Sequence, residues 1–420
     1  MKRVRMQPRP HWQKRLEDLG IFFHTLNGEP YWNEAAAYQF STHEVDLLEL
    51  ATNKLHQMCM LLVQQVIDDN LFDLFRIPPQ FEALVIRSWE RGDPSLYGRF
   101  DLAYKPGDTP RLLEYNADTP TALVEASVAQ WFWLKDIDPH GDQFNSIHER
   151  LIEAWKKFRK RDGRPVHFAA MSGQMEDYVT AEYLRDTAIQ GGLETHYLDV
   201  ERVGYDRQSR FFVDDSDAII FRVFKLYPWE WMLRETFGPH LPASPTSWIE
   251  PPWKMILSCK AILPLLYERF PTSPFLTPAS FEPLSGDYVK KPIHAREGSN
   301  ITIVVGGRTV LQTEGPYTDG PFVYQQLAPV YREKDLTAVI GSWIIDGVSC
   351  GVGIREANSL ITQNTSLFVP HQMIEVPGEK PHPLVIASDA APDTDTRISA
   401  QPQAARGQAK NDTSEAIRGK

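Results

Sequence analysis

Between Ser41 and Asp69 apolar residues recur every three or four positions, and from Tyr97 that period drops to two. The first pattern, through Val45, Leu48, Leu55, Met58, Cys59, Leu62 and Val66, predicts one long amphipathic helix. Ser41 and Glu44 fit a capping box at its start, with Phe40 and Val45 placed as a hydrophobic staple. Pro78-Pro79 closes that pattern and opens another helical stretch into Trp89. From Tyr97, the run Gly98-Arg99-Phe100-Asp101-Leu102-Ala103-Tyr104 alternates as a strand does. Pro106-Gly107-Asp108 supplies a turn and Arg111 to Asn116 reads as the returning strand of a hairpin. Thr121 to Leu134 resumes as a helix.

The middle of the chain repeats a strand, helix, strand rhythm. Strands are expected at Pro165 to Ala170, Leu193 to Leu198 and Ala218 to Phe224, with a helix through Tyr183 and Leu184. That order indicates an α/β unit around residues 160–250. Later come a helix around Leu257 to Tyr267, a strand at Tyr288 to Lys290, a glycine turn, and a strand at Ile301 to Val305. Phe322 to Leu327 and Ala338 to Ile345 are expected to complete a second sheet-bearing unit. Residues 391–420 are rich in Ala, Gln, Asp and Thr with almost no large apolar side chains, which predicts a disordered tail over residues 386–420.

Composition narrows the function classes. The 420 residues are enough for two or three packed units, and the formal net charge of -11 is spread along the chain. A general nucleic-acid binder, which presents a basic face, is not expected. The three cysteines, Cys59, Cys259 and Cys350, have neither zinc-site nor disulfide-framework spacing and fit a reducing compartment. The basic, polar start lacks the apolar core of a signal peptide, and no stretch approaches the roughly 18 apolar residues of a spanning helix. The expected location is cytoplasmic, without a membrane partner. The sequence leaves the oligomeric state open.

Two segments concentrate the chemistry. On the hairpin, Arg99 and Asp101 are two apart, as are Glu114 and Asn116, so all four side chains can share one face. Asp, Glu and Asn oxygens suit Mg²⁺, and Arg99 offers a planar fork to a carboxylate or phosphoryl group. The same spacing also describes an ordinary polar surface hairpin. Thr119 and Thr121, in the loop that follows, are either N-caps or hydroxyls facing an anionic substrate. In the second segment, YVKKPIHAREGSNITIVV, Lys291 precedes a proline, and Gly298-Ser299 could let backbone N–H groups approach phosphates. It is equally a basic turn, and it is neither a Walker loop nor a dinucleotide fingerprint. Lys260, in the helix before it, is a second candidate for a phosphate contact. Arg355, after Gly351 and Gly353, reads as a substrate contact or a salt-bridge residue.

Taken in order, YGRFDLAY, LLEYNADTPT, HFAAMSGQMEDYVTAEYL, FKLYPWEWM, LSCKAILPLLYERFP, YVKKPIHAREGSNI, FVYQQL and GVGIRE resemble the synthetase domain of glutathionylspermidine synthase and its stand-alone relatives. The resemblance covers most of residues 10–375. It implies an α/β (α+β) ATP-grasp fold with a pre-ATP-grasp-like region and the family's permuted connectivity, occupying residues 1–385. Magnesium ligands come early in that order and phosphate-contacting lysines late. On matching positions, Asp101, Glu114 and Asn116 would bind Mg²⁺ and Lys260 and Lys291 would contact ATP, to which the loop reading adds Gly298 and Ser299. Arg99 would serve phosphoryl transfer, while Thr119, Thr121 and Arg355 would meet the acid substrate. Glu176 and Asp177 would face the amine.

The implied reaction joins a peptide or amino-acid carboxylate to an amine, such as a polyamine, through an acyl phosphate. The chain departs from the bifunctional members of the family in having no early Cys/His constellation for an amidase, so product hydrolysis is not expected. Two rivals remain at this level. One is a ligase of the same fold acting on a different acid and amine. The other is a non-catalytic ATP- or peptide-binding protein, which ADP release dependent on both an acid and an amine would exclude.

Overall fold

The computed structural model describes residues 1–26, 28–318, 320–363 and 366–390. The first long helix runs over Thr42–Asp68. At its start the Glu44 N–H donates to Ser41 Oγ at 3.2 Å, and the Ser41 N–H donates to Glu44 Oε2 at 3.1 Å. This reciprocal pair satisfies backbone donors that a bare helix start leaves open. Val45, Leu48, Leu55, Cys59, Leu62 and Val66 are buried along one stripe. Each fully buried aliphatic side chain stabilises by about 1.5–3 kcal/mol. The stripe packs on the long strands Leu336–Ile345 and Val348–Ala357, where Thr52 Oγ1 and Ser342 Oγ lie 2.6 Å apart. A second helix, Pro79–Glu90, opens on a proline, which suits a first helical position because its missing N–H would have no partner there.

The hairpin strands are Tyr97–Ala103 and Arg111–Asn116, with Arg99 opposite Asn116 and Asp101 opposite Glu114. They form one edge of an antiparallel sheet that continues through Leu336–Ile345 and Val348–Ala357 to Leu367–Val369. This arrangement differs from the sequence expectation for the strand over 338–345. It does not join Phe322–Gln326 but pairs with the hairpin, from Ile340 opposite Leu102 to Ile345 opposite Tyr97. The strand is buried along both faces and requires cover on both, and the helices Thr42–Asp68 and Ile147–Asp162 both pack against it. Phe322–Gln326 instead enters a five-stranded antiparallel sheet beside Tyr288–Pro292, with Thr302–Val305 and Arg308–Gln312 beyond and Ala279–Ser280 on the other edge.

The middle of the chain forms a four-stranded parallel sheet in the order Ser247–Ile249, Arg222–Leu226, Val166–Ala170, Thr195–Asp199. The helix Met175–Gln190 connects the last two strands. The strand expected at Ala218 to Phe224 begins only at Arg222, because Asp214 Oδ1 accepts the N–H groups of Ser216 and Ala218 at 2.9 Å and wraps those residues into a turn. The helix expected over Leu257 to Tyr267 is two helices, Lys254–Leu257 and Ile262–Arg269. Pro264 has no N–H for the Lys260 carbonyl and its ring would collide with it, so the helix restarts with Pro264 in its first turn. Lys260 therefore sits in the break rather than within a helix, its N–H donating to the Ile293 carbonyl at 2.9 Å.

A small sheet of Lys2–Arg5, Ala36–Ser41 and His371–Ile374 joins early and late parts of the chain. A last helix, Pro383–Ala390, packs on Thr42–Asp68. Ile386 to Ala390 thus belong to a helix, not to the disordered tail expected from residue 386, because Leu384 and Val385 anchor that helix against the core. The remainder of that expectation, residues 391–420, lies outside the described residues. All three cysteines are buried and free. Among the described residues, no helix is long and apolar enough to cross a membrane.

Candidate active site

The hairpin face supplies the acidic part of the site. Arg99 is 4% exposed and donates from Nε to Asp101 Oδ1 at 2.7 Å, while Nη1 donates to the Thr121 carbonyl. A Cβ on Gly341, in the neighbouring strand, would lie 2.7 Å from Arg99 Cδ, so only a glycine there leaves room for the arginine stem. Arg355 Nη2 donates to Asp101 Oδ2 at 2.6 Å, which sets Asp101 between two guanidinium groups. Opposite it, Glu114 Oε2 lies 2.9 Å from Lys260 Nζ, and Asn116 Nδ2 is 3.4 Å from Glu114 Oε1. Lys291 Nζ donates to the Leu113 carbonyl at 2.8 Å and to Gln325 Oε1 at 2.7 Å.

Electrostatics follow from that geometry. Burial disfavours charge on Glu114, but Lys260, Lys291 and Arg355 outweigh it and hold the carboxyl well below the usual carboxylate range. Burial brings the Lys291 ammonium down to about 8, with Glu114 opposing and Lys260 adding to the shift.

These groups line a single cavity of about 790 Å³. The three oxygen donors, both lysines, both arginines and both threonines singled out in the sequence reach it, as does Gly298. Ser299, Glu176 and Asp177 are not among its lining residues. Ser299 turns instead toward Gly315, where an added Cβ would meet the Ser299 Cβ at 2.5 Å. Gly298 has φ +70°, and a Cβ on it would come within 2.6 Å of the Thr362 carbonyl, so both the backbone conformation and the close approach require glycine.

Neither threonine acts as a helix cap. Thr119 Oγ1 accepts from Arg296 Nη1 at 2.9 Å, and Thr121 uses its carbonyl for Arg99. The chain passes Ala122 at φ +63° and enters a π turn, Glu125–Ala129, with no side-chain cap. Just before the threonines, Asp118 pairs with Lys225 Nζ at 2.5 Å and accepts the Trp229 N–H at 2.9 Å. Both charged groups are essentially solvent-free, so losing either partner would strand a buried charge and release the loop.

Arg296 and Glu230 were not legible as site residues. Arg296 donates from Nε and Nη2 to Glu230 Oε1 at 3.0 and 2.5 Å while also holding Thr119, and so ties the start of its loop to two other residues of the cavity wall. Arg296 lies inside a segment already singled out, but glycine and serine dominate its local pattern. Gln325, which fixes Lys291, lies in the segment FVYQQL, but nothing in that segment marks it as a site residue.

Glu176 and Asp177 occupy the first turn of Met175–Gln190. Burial raises Glu176 to about 8, reinforced by Glu125, Asp177 and Glu297 and opposed by Arg99. Burial and Glu297 raise Asp177 to about 6, with Arg296 opposing. Glu125 is buried and accepts from the Tyr31 hydroxyl at 2.7 Å. A patch of acids with suppressed charge therefore lies within electrostatic reach of Arg99.

Another part of the cavity wall is apolar, where Val289, Ile301, Ile303, Leu327, Leu360 and Ile361 belong to one cluster. Among the described residues, no group of three His, Cys, Asp or Glu side chains could hold a metal ion. A cation on the hairpin would therefore use two carboxylates and the Asn116 amide oxygen. That hard, incomplete donor set fits Mg²⁺, which takes its remaining ligands from water and phosphates.

The fold is of the glutathione synthetase-like kind: it resembles a glutathione synthetase-like effector from Globodera pallida with TM-score 0.51, over 80% of this chain and 89% of that one, at 12% identity. More narrowly, the chain belongs to the glutathionylspermidine synthase family, whose preATP-grasp model matches residues 3–374. It is 38% identical to a Haemophilus influenzae protein carrying the name acid–amine ligase, over 89% of this chain and 100% of that protein. Trypanothione synthetase of Crithidia fasciculata is 31% identical over 79% of this chain and 56% of its own length. The bifunctional glutathionylspermidine synthetase/amidase of Escherichia coli is 27% identical over 82% of this chain and 60% of its own. The chain thus spans little more than half the length of these last two relatives.

Proposed function

We propose that the chain is an ATP-dependent carboxylate–amine ligase, joining a peptide or amino-acid carboxylate to a polyamine or another amine. The observation that carries this reading is the polarity of the cavity along one strand, Tyr288–Pro292. Val289 belongs to the apolar cluster, and Lys291, two residues on, feels Glu114. A nucleotide has the matching polarity, an apolar ring followed by a triphosphate. The names of the relatives, which are ligases and synthetases, support the same reading.

The proposed fold is an ATP-grasp fold with a pre-ATP-grasp-like parallel unit around residues 160–250. Its parts follow the permuted order, with oxygen ligands before that unit and lysines after it. Asp101, Glu114 and Asn116 would hold Mg²⁺, which offsets charge on the transferred phosphoryl group. Lys260 and Lys291 meet the phosphates, and Gly298 lets the loop backbone approach them closely. Thr119, Thr121 and Arg355 position the acid substrate. Its carboxylate attacks the γ-phosphorus, ADP leaves, and Arg99 spreads the charge that builds on the oxygens. Glu176 and Asp177 hold the amine. The amine, once neutral, attacks the acyl carbon, loses a proton, and phosphate departs to leave the amide. Arg296 holds its loop over the site and limits hydrolysis of the acyl phosphate.

The test is ADP release by the purified chain with ATP, Mg²⁺ and mixtures of candidate acids and amines, with products weighed by mass spectrometry. Release requiring both an acid and an amine, with an amide of the summed mass, is the expected result. Nucleotide binding without ADP release in any mixture would overturn the ligase reading in favour of a binding module.

A further inference from the structure

The carboxylates assigned above to magnesium are already engaged by cations of the protein. Asp101 holds Arg99 and Arg355, and Glu114 holds Lys260 at 2.9 Å. These cations are not equally fixed. Arg99 divides its guanidinium between Asp101 and the Thr121 carbonyl, and its group lies 5.8 Å from the Trp343 ring centroid. Lys260 stands in the break between two short helices, its side chain 11% exposed, and its ammonium meets Glu114 and the Ala295 carbonyl at 2.6 Å. A lysine is a point charge on a flexible stem, free to change partners without moving the backbone.

We propose that Lys260 is an exchangeable partner of Glu114, keeping that carboxylate until a polyphosphate takes the ammonium, so that a divalent cation enters together with nucleotide rather than ahead of it. The proposal rests on the ligase reading and specifies the order in which its site is assembled. A divalent ion arriving alone must break the Lys260–Glu114 pair and leave the ammonium unpaired near Lys291, in a wall where uncompensated charge is costly. A triphosphate removes that cost by giving both lysines a counter-charge. The exchange also frees the Ala295 carbonyl, next to the strapped Arg296, so nucleotide arrival and loop position share one side chain. By linkage, nucleotide raises cation affinity by the same factor that cation raises nucleotide affinity.

The probe is Mn²⁺, titrated by electron paramagnetic resonance with and without a non-hydrolysable ATP analogue. In wild type, Mn²⁺ binding should be weak alone and strengthened by the analogue. K260M, and K260Q as a second variant that keeps a donor for Ala295, should bind Mn²⁺ about tenfold or more tightly without nucleotide. K260R, which keeps the charge, should remain near wild type, and adding E114Q to K260M should abolish the gain. Equal Mn²⁺ affinity in wild type and both neutral variants without nucleotide overturns the proposal while leaving the ligase reading intact. A wild-type protein whose Mn²⁺ affinity is unaffected by the analogue overturns the ligase reading, and the proposal with it.

Discussion

Asp101 is shared between Arg99, two residues away on the same strand, and Arg355, which comes 254 residues later. The first pairing depends on Gly341, since a Cβ there would fall 2.7 Å from Arg99 Cδ. Two substitutions separate charge from geometry. R99K keeps the charge but loses the fork, so ATP affinity measured by calorimetry should hold while kcat falls by about 2–4 kcal/mol of transition-state stabilisation. G341A should give a similar kcat loss through displacement of Arg99, with an overpacking cost to stability of about 1–3 kcal/mol. Normal acyl phosphate formation by R99K in rapid-quench experiments would leave Arg99 a structural salt-bridge residue. What was legible at this scale is what period two conveys: Arg99, Asp101, Glu114 and Asn116 on one face. Arg296 with Glu230 and Lys291 with Gln325 depend on partners brought together by tertiary packing, and no spacing announces them.

Local chemistry specified most element starts and fewer interruptions. The Ser41–Glu44 capping box is complete in both directions, and the proline opening Pro79–Glu90 sits where its sequence position predicts. The break at Lys260 was encoded by Pro264 but hidden by the apolar residues around it, and the π turn at Glu125–Ala129 has no sequence signature. The start of Met175–Gln190 carries a consequence for pH. Glu176 titrates near 8 in the fold against about 4.5 in an unfolded chain, because burial and its acidic neighbours Glu125, Asp177 and Glu297 oppose its charge more than Arg99 favours it. The raised value means the folded state keeps a proton the unfolded state has lost. The contribution is therefore fully present below about pH 4.5 and is lost as pH rises through 8. E176Q, neutral throughout, should match wild type near pH 5 and become progressively more stable than it toward pH 8.5 in urea denaturation. A wild-type-to-variant difference that stays constant across that range would show that Glu176 titrates normally. The same substitution should raise the amine KM more than the ATP KM if Glu176 holds the amine.

At the scale of the whole chain, the α/β class was readable from alternating periods, while the parallel pairing of the strands from Val166 to Ile249 and the closure of the sheets were not. The hairpin gains its sheet neighbour only when Leu336–Ile345 returns to it, and that pairing joins segments with no local relation. His371–Ile374 likewise closes onto Ala36–Ser41, and the chain then ends its described course in the helix Pro383–Ala390 lying on Thr42–Asp68. This gives a sharp expectation for truncation. Leu384 and Val385 pack against the core, and Leu384 borders a groove with Leu50, Met58, Leu61 and Phe275. Residues 391–420 offer almost no apolar side chains with which to extend that packing. A chain ending at Ala390 should therefore keep the melting temperature and specific activity of the full chain. One ending at His382 uncovers the groove and should lose about 2–4 kcal/mol, since its two anchoring side chains are only partly buried. Thermal melting of both truncations beside the full chain decides the matter. A large loss of stability already at Ala390 would mean that residues 391–420 pack on the fold, and unchanged stability at His382 would mean that the last helix contributes nothing to it.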